Sequence, residues 1–154
     1  MNRVSFAWRA YGYGAGSGEE LAIEIDGTSL VELTAAVEKP HAHAEGHPHL
    51  AGSYAGLSRF AMSPEKLERH LLGKPALESD DGLAVLLGCE CGEWGCWPLG
   101  ARIHLDQNIV KWSDFHNRHH GGWDLSALGP FVFDREQYET SARKAAAAAR
   151  EPIG

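Results

Sequence analysis

The chain has 154 residues, an apolar share of 44%, a charged share of 23% and a net charge of −7 with its nine histidines neutral. A chain of this length buries roughly two-thirds of the surface it exposes when unfolded, and these proportions argue against a disordered, collagen-like or membrane-embedded polypeptide. Lys and Arg stand singly and no run reaches the roughly 18 apolar residues of a membrane span, so neither nucleic acid nor a membrane is an expected partner.

Taken in chain order, residues 2–13 read as a strand, rich in aromatic and branched residues, that ends in the glycine cluster Gly12, Gly14, Gly16 and Gly18. Leu21 to Asp26 alternates apolar and charged residues and pairs back as a hairpin before Gly27. Ser29 and Glu32 form a capping box for a helix that shows Leu30, Leu33 and Val37 on one face and ends near Pro40. From 41 to 57 His, Gly, Pro and Ala follow without a period, which predicts a long surface loop.

Ser63 and Pro64 open a short helix through Leu67 and Leu71. The strongest fold signal is next: apolar or alternating runs at about 83–89, 96–105 and 109–115, separated by turn residues, predict an antiparallel meander. A last short strand at 131–133 leads through Asp134 and Gln137, a second capping box, into a closing helix to about Arg150. The fold class expected is α+β: an N-terminal hairpin plus a three-stranded meander at about 83–115, packed with two or three helices in one domain over 1–154.

Three clusters carry chemistry-bearing residues. Cys89, Cys91 and Cys96 stand on the arms of the first meander hairpin, with Gly92 and Gly95 allowing its turn. Three readings apply: core thiols, favoured by the high burial tendency of cysteine; a zinc site completed by His116, His119 or His120; or reactive thiols with His104, His116 or His119 as general base. An odd number of crowded cysteines forms no even disulfide framework, and the first ten residues lack a basic start and an apolar signal core. The expected setting is therefore the cytoplasm.

The second cluster is His41, His43, His47 and His49, all at odd positions. On an extended loop these four imidazoles face one side as a second candidate metal site. The third runs from Asp114 to Trp123 and sets Arg118 and the three histidines between Trp112 and Trp123. With Trp94 and Trp97 of the hairpin, Arg118 and Trp123 form a candidate binding surface for a protein or small ligand. No G-x-G-x-x-G, P-loop, G-x-S-x-G or H-E-x-x-H pattern occurs.

The segments Cys-Glu-Cys-Gly-Glu-Trp-Gly-Cys at 89–96, Val-Lys-Trp-Ser-Asp-Phe at 110–115 and Gly-Pro-Phe-Val-Phe-Asp at 129–134 with Tyr138, together with Leu50 to Leu57 upstream, resemble an uncharacterised family of small bacterial proteins. The resemblance implies a common fold and no assigned reaction, so it brings no functional residue with it. Three functions follow as expectations: a small binding domain working through the Cys/Trp-rich hairpin and the 116–123 loop, a zinc- or thiol-dependent enzyme centred on the three cysteines, or an acidic immunity or antitoxin-type protein that meets a basic partner.

Overall fold

The computed structural model describes residues 1–10, 18–79 and 82–149. Residues 11–13 of the first expected strand, Gly12, Gly14 and Gly16 of the glycine cluster, and Arg150 at the expected helix end lie outside them. The described residues form an α+β architecture with two antiparallel sheets and three α-helices.

The first sheet pairs β1 (Val4–Ala10) with β2 (Glu19–Ile25), and β2 with the two-residue β3 (Thr28–Ser29). Alternation fixes its register, since Val4, Phe6, Leu21, Ile23 and Ile25 are buried while Ser5, Ala7 and Glu24 face outwards. The second sheet runs in chain order through β4 (Tyr54–Gly56), β5 (Ala84–Cys89), β6 (Leu99–Leu105), β7 (Ile109–His116) and β8 (Phe131–Asp134). The three expected meander strands are its centre. Strand β4 lies inside the expected 41–57 loop, because three residues are too few to show a readable period.

Both edges of the five-stranded sheet are tied to the first sheet. Asn2 bridges to Phe133 of β8, and Glu20 of β2 bridges to Ser58, just beyond β4. At the second seam the backbones approach so closely that a Cβ on Gly56 would lie 2.1 Å from the Leu21 carbonyl oxygen. Only glycine fits there.

Helices α1 (Leu30–Ala44), α2 (Pro64–Leu71) and α3 (Arg135–Ala149) complete the fold. Ser29 Oγ accepts the Glu32 N–H at 3.1 Å, and Asp134 Oδ2 accepts that of Gln137 at 3.0 Å, so both side-chain caps form where the sequence places them. The alanine-rich α3 buries Tyr138, Ala142, Ala145 and Ala146. Small residues let it lie close against β1 and α2. Tyr138 stands edge-on to Trp112 and Phe6, and its hydroxyl accepts the Trp112 indole N–H at 3.1 Å.

Two local expectations are corrected. Helix α1 does not stop near Pro40 but continues four residues beyond it, to Ala44, and its fully buried row is Leu30, Thr34, Glu38 and Ala42. Pro40 removes one helical hydrogen bond. Burial of Ala42 and a hydrogen bond from His41 Nε2 to the Asp124 carbonyl, 3.0 Å, hold the next turn in place. Residues 41–57 are thus no uniform loop; they contain the helix end, a 3-10 turn at Pro48–Leu50 and β4.

Candidate functional site

The hairpin between β5 and β6 folds back on itself. Gly88 allows Trp94 to settle on the end of β5, because a Cβ at 88 would lie 2.8 Å from the Trp94 Cα. A 3-10 turn over Trp94–Cys96 follows, and the Gly95 carbonyl accepts from His119 Nε2 at 3.1 Å and Arg118 Nη2 at 3.4 Å. The predicted strand at 96–105 therefore starts later, at Leu99, with Cys96 in the turn.

Burial overturns the reading of the cysteines as core thiols. None is in a disulfide, Cys91 and Cys96 are exposed, and Cys89 is half-buried. The strand ends at Cys89, so Cys91 is no longer at an alternate strand position facing the interior. The Cys91 N–H donates to Cys89 Sγ at 3.4 Å, and the Cys91 thiol donates to the Glu93 carbonyl at 4.0 Å. The Glu93 backbone and the Cys89 thiol hold Cys91 below the ordinary thiol pKa, whereas burial pushes Cys89 up and the hydrogen bond with Cys91 pushes Cys96 up. One thiol is thus set apart from its two neighbours.

The histidines expected near the sulfurs have other engagements. His119 Nε2 is on Gly95, His120 Nε2 lies 3.4 Å from Glu45 Oε2, and His116 reaches a cleft beside β7. His104 is exposed on β6. His41 and His43, two helical positions apart, diverge by about 200° around the axis of α1, and His47 and His49 flank Pro48 beyond it. A common face for the four is thereby lost. Among the described residues, no group of three or more His, Cys, Asp or Glu is arranged to hold a metal ion.

Of the candidate binding tryptophans, Trp94 and Trp97 are half-buried, as is Arg118. Trp123 is only 5% exposed, which corrects its assignment as a surface anchor. Its indole N–H donates to Glu45 Oε1 at 3.0 Å, and its ring stacks on His41 and meets Trp97 edge-on. It pins the 117–123 loop to α1.

Beneath that loop lies a polar network that sequence reasoning missed. Tyr54 donates to Glu38 Oε2 at 2.7 Å, the Gly52 N–H donates to Glu38 Oε1 at 3.0 Å, and Asn117 Nδ2 donates to the Tyr54 hydroxyl at 2.9 Å. Asn117 Oδ1 then accepts the His119 N–H at 2.9 Å. Glu38 had one available signal: it continues the i, i+4 row begun by Leu30 and Thr34.

Beside the loop is a cleft of about 660 Å³, floored by Lys111 and Ser113 of β7 and walled by segment 121–130 through Trp123, Leu125 and Leu128. Asp114 on its rim has a left-handed φ of 56°. It is the extra residue of a β-bulge, since Arg102 pairs with Ser113 but Gly100 pairs with His116. Asp114 Oδ2 accepts from Arg102 Nε at 3.1 Å, and Asp124 Oδ1 accepts the Ser126 N–H at 2.9 Å. The Lys111 ammonium makes no ion pair among the described residues.

A second groove, about 730 Å³, separates β1 from α3. Gln137 bonds both the N–H and the carbonyl of Val4 there, which caps that part of the strand edge. No helix of the described residues is long and apolar enough to cross a membrane. No family model, curated protein or solved structure matches the chain.

Proposed function

We propose that the protein is a small binding domain, and that the 116–123 loop serves it by forming one wall of a site for a small anionic molecule with an apolar part. The observation that carries this reading is the state of the charges in the 660 Å³ cleft. Its carboxylates Asp114 and Asp124 already accept hydrogen bonds, while the Lys111 ammonium has no hydrogen bond or ion pair among the described residues. A ligand therefore gains most by bringing acceptors, such as a carboxylate or phosphate, to Lys111. Phe115, Leu125 and Leu128 offer apolar surface to the remainder of the molecule.

A bulge beside the site supports the same reading, because bulges redirect side chains at binding sites and the left-handed backbone of Asp114 holds its carboxylate on the rim. The expected setting is the cytoplasm, where the three thiols stay reduced. The test is a titration of amide chemical shifts with phenylacetate and with inorganic phosphate. Saturable shifts at 111–116 and 121–130 are expected, weakened at least roughly tenfold by Lys111→Met through loss of the charged contact. Absence of shifts with both probes, or equal affinity for the variant, rejects the reading.

A further inference from the structure

The groove between β1 and α3 shares no lining residue with the cleft beside β7. We propose that it is a strand-addition site, in which an extended acidic segment of a partner protein pairs with the open edge of β1.

Strand β1 is the outer strand of its sheet. The Arg3 carbonyl accepts the Asp26 N–H, so the backbone groups of Arg3 face β2, and in the unshifted register those of Ser5, Ala7 and Arg9 do the same. Those of Val4, Phe6 and Trp8 face away from β2, and all three residues line the groove. At Val4 the Gln137 side-chain amide acts as a neighbouring strand would. Its nitrogen donates to the Val4 carbonyl at 2.7 Å and its oxygen accepts the Val4 N–H at 3.2 Å. The next two edge-facing positions, Phe6 and Trp8, have no backbone hydrogen bond to any other segment among the described residues. Such an edge is a template for a further strand.

Charge selects the occupant. Arg3, Arg59 and Lys144 line the groove, and Glu19 is the one carboxylate among its described residues. Glu19 lies 3.5 Å from Arg59, whose Nη2 donates to the Ala148 carbonyl at 3.0 Å and whose guanidinium sits 5.3 Å from the centre of the Trp8 ring. Asp26, close to Arg3 but outside the groove, already accepts from the Asn2 amide and the Arg3 N–H. The exposed side chains of Arg3 and Lys144 are left without a hydrogen bond or ion pair among the described residues. On a chain of net charge −7 this is a local cationic surface, and an acidic strand brings carboxylates to it. A second copy of the chain would bring the same cations to its own β1, so like charges oppose that pairing. On the helical wall Ala145 and Ala148 carry only methyl groups, which leaves room for the side chains of an added strand.

The experiment titrates full-length protein with a capped hexapeptide of alternating glutamate and valine, followed by amide chemical shifts and hydrogen exchange. Saturable shifts over β1 and 141–148 are expected, and exchange at the Phe6 and Trp8 amides should slow at least roughly tenfold once they donate to the peptide. The Val4 amide, already held by Gln137, should keep its rate. The same peptide N-methylated throughout should bind at least about tenfold more weakly, because it has no donors for the β1 carbonyls. A lysine–valine peptide, and the original peptide on an Arg3→Glu, Lys144→Glu double variant, should each lose at least about tenfold. Both substitutions are at exposed positions, and circular dichroism checks that the fold is kept. Absence of binding, or equal affinity for the N-methylated or the lysine peptide, would overturn the assignment. So would shifts confined to 111–116 and 121–130, which would put the peptide in the cleft. Slowing of the Phe6 and Trp8 amides with protein concentration alone would give the edge to a second copy and overturn it as well.

Discussion

Tyr54 donates its phenolic O–H to Glu38 Oε2 across 2.7 Å, with both residues buried, and so ties strand β4 to the inner face of α1. Asn117 joins the pair from the opposite side, which makes one buried hydroxyl the junction of three segments distant in the chain. Tyr54→Phe should leave a Glu38 oxygen and the Asn117 amide short of a partner and cost about 2 kcal/mol in denaturant unfolding. Hydrogen exchange should accelerate across 117–123. An unchanged midpoint would show that water replaces the hydroxyl.

Glu38 gives this network a pH dependence. Burial raises its carboxyl above the ordinary range, against the lowering effect of the Tyr54 and Gly52 hydrogen bonds. The folded chain then holds a proton that the unfolded chain releases above about pH 4.3. That contribution favours the folded state below the unfolded value and fades as pH rises through the raised one. Glu38→Gln should remove this part of the stability profile, measured as unfolding midpoints from about pH 4 to 7.

His70 acts with the opposite sign. It is fully buried, its Nε2–H donates to the Val85 carbonyl at 2.7 Å, and its Nδ1 accepts the Ala76 N–H at 3.1 Å, a pattern that only the neutral ring satisfies. Burial pushes its pKa down. Below about pH 6.5 the unfolded chain takes a proton that the folded chain refuses, so this contribution is present above that value and is lost as pH falls through the depressed one. His70→Phe should cost about 2 kcal/mol near neutrality and flatten the slope between about pH 5 and 6.5.

At the seam between the sheets, Gly56→Ala should destabilise the protein by about 3 kcal/mol, because the new methyl meets the Leu21 carbonyl rather than a movable side chain. Thermal unfolding reads this directly. A loss below about 0.5 kcal/mol would mean that the sheets separate there at little cost.

The bulge offers a test in the other direction. Asp114→Gly relieves a left-handed backbone and removes an ion pair whose two side chains are each 65% exposed. Exposed pairs contribute little, so stability should rise by about 0.5 kcal/mol. A loss of 1 kcal/mol or more would show that the Arg102 contact holds the bulge.

The bulge was also partly legible. Buried residues on β7 run Val110, Trp112 and then Phe115, skipping the position that strict alternation requires. The exposed Asp114 is the residue that the skip leaves over. By contrast, nothing near Pro40 announces that α1 continues, since the contact that holds its last turn comes from Asp124, 83 residues away.

What the sequence determined by itself was short-range: the hairpin of β1 and β2, the caps at Ser29 and Asp134, and the central meander. Each depends on side chains within a few positions of one another, where period and turn chemistry act directly. Tertiary structure alone decided the seams at Asn2 and Ser58, the burial of Trp123 and the exposure of Cys91 and Cys96. A cysteine or tryptophan is equally at home in a core or at its margin, and only the packing of distant segments settles which side faces water.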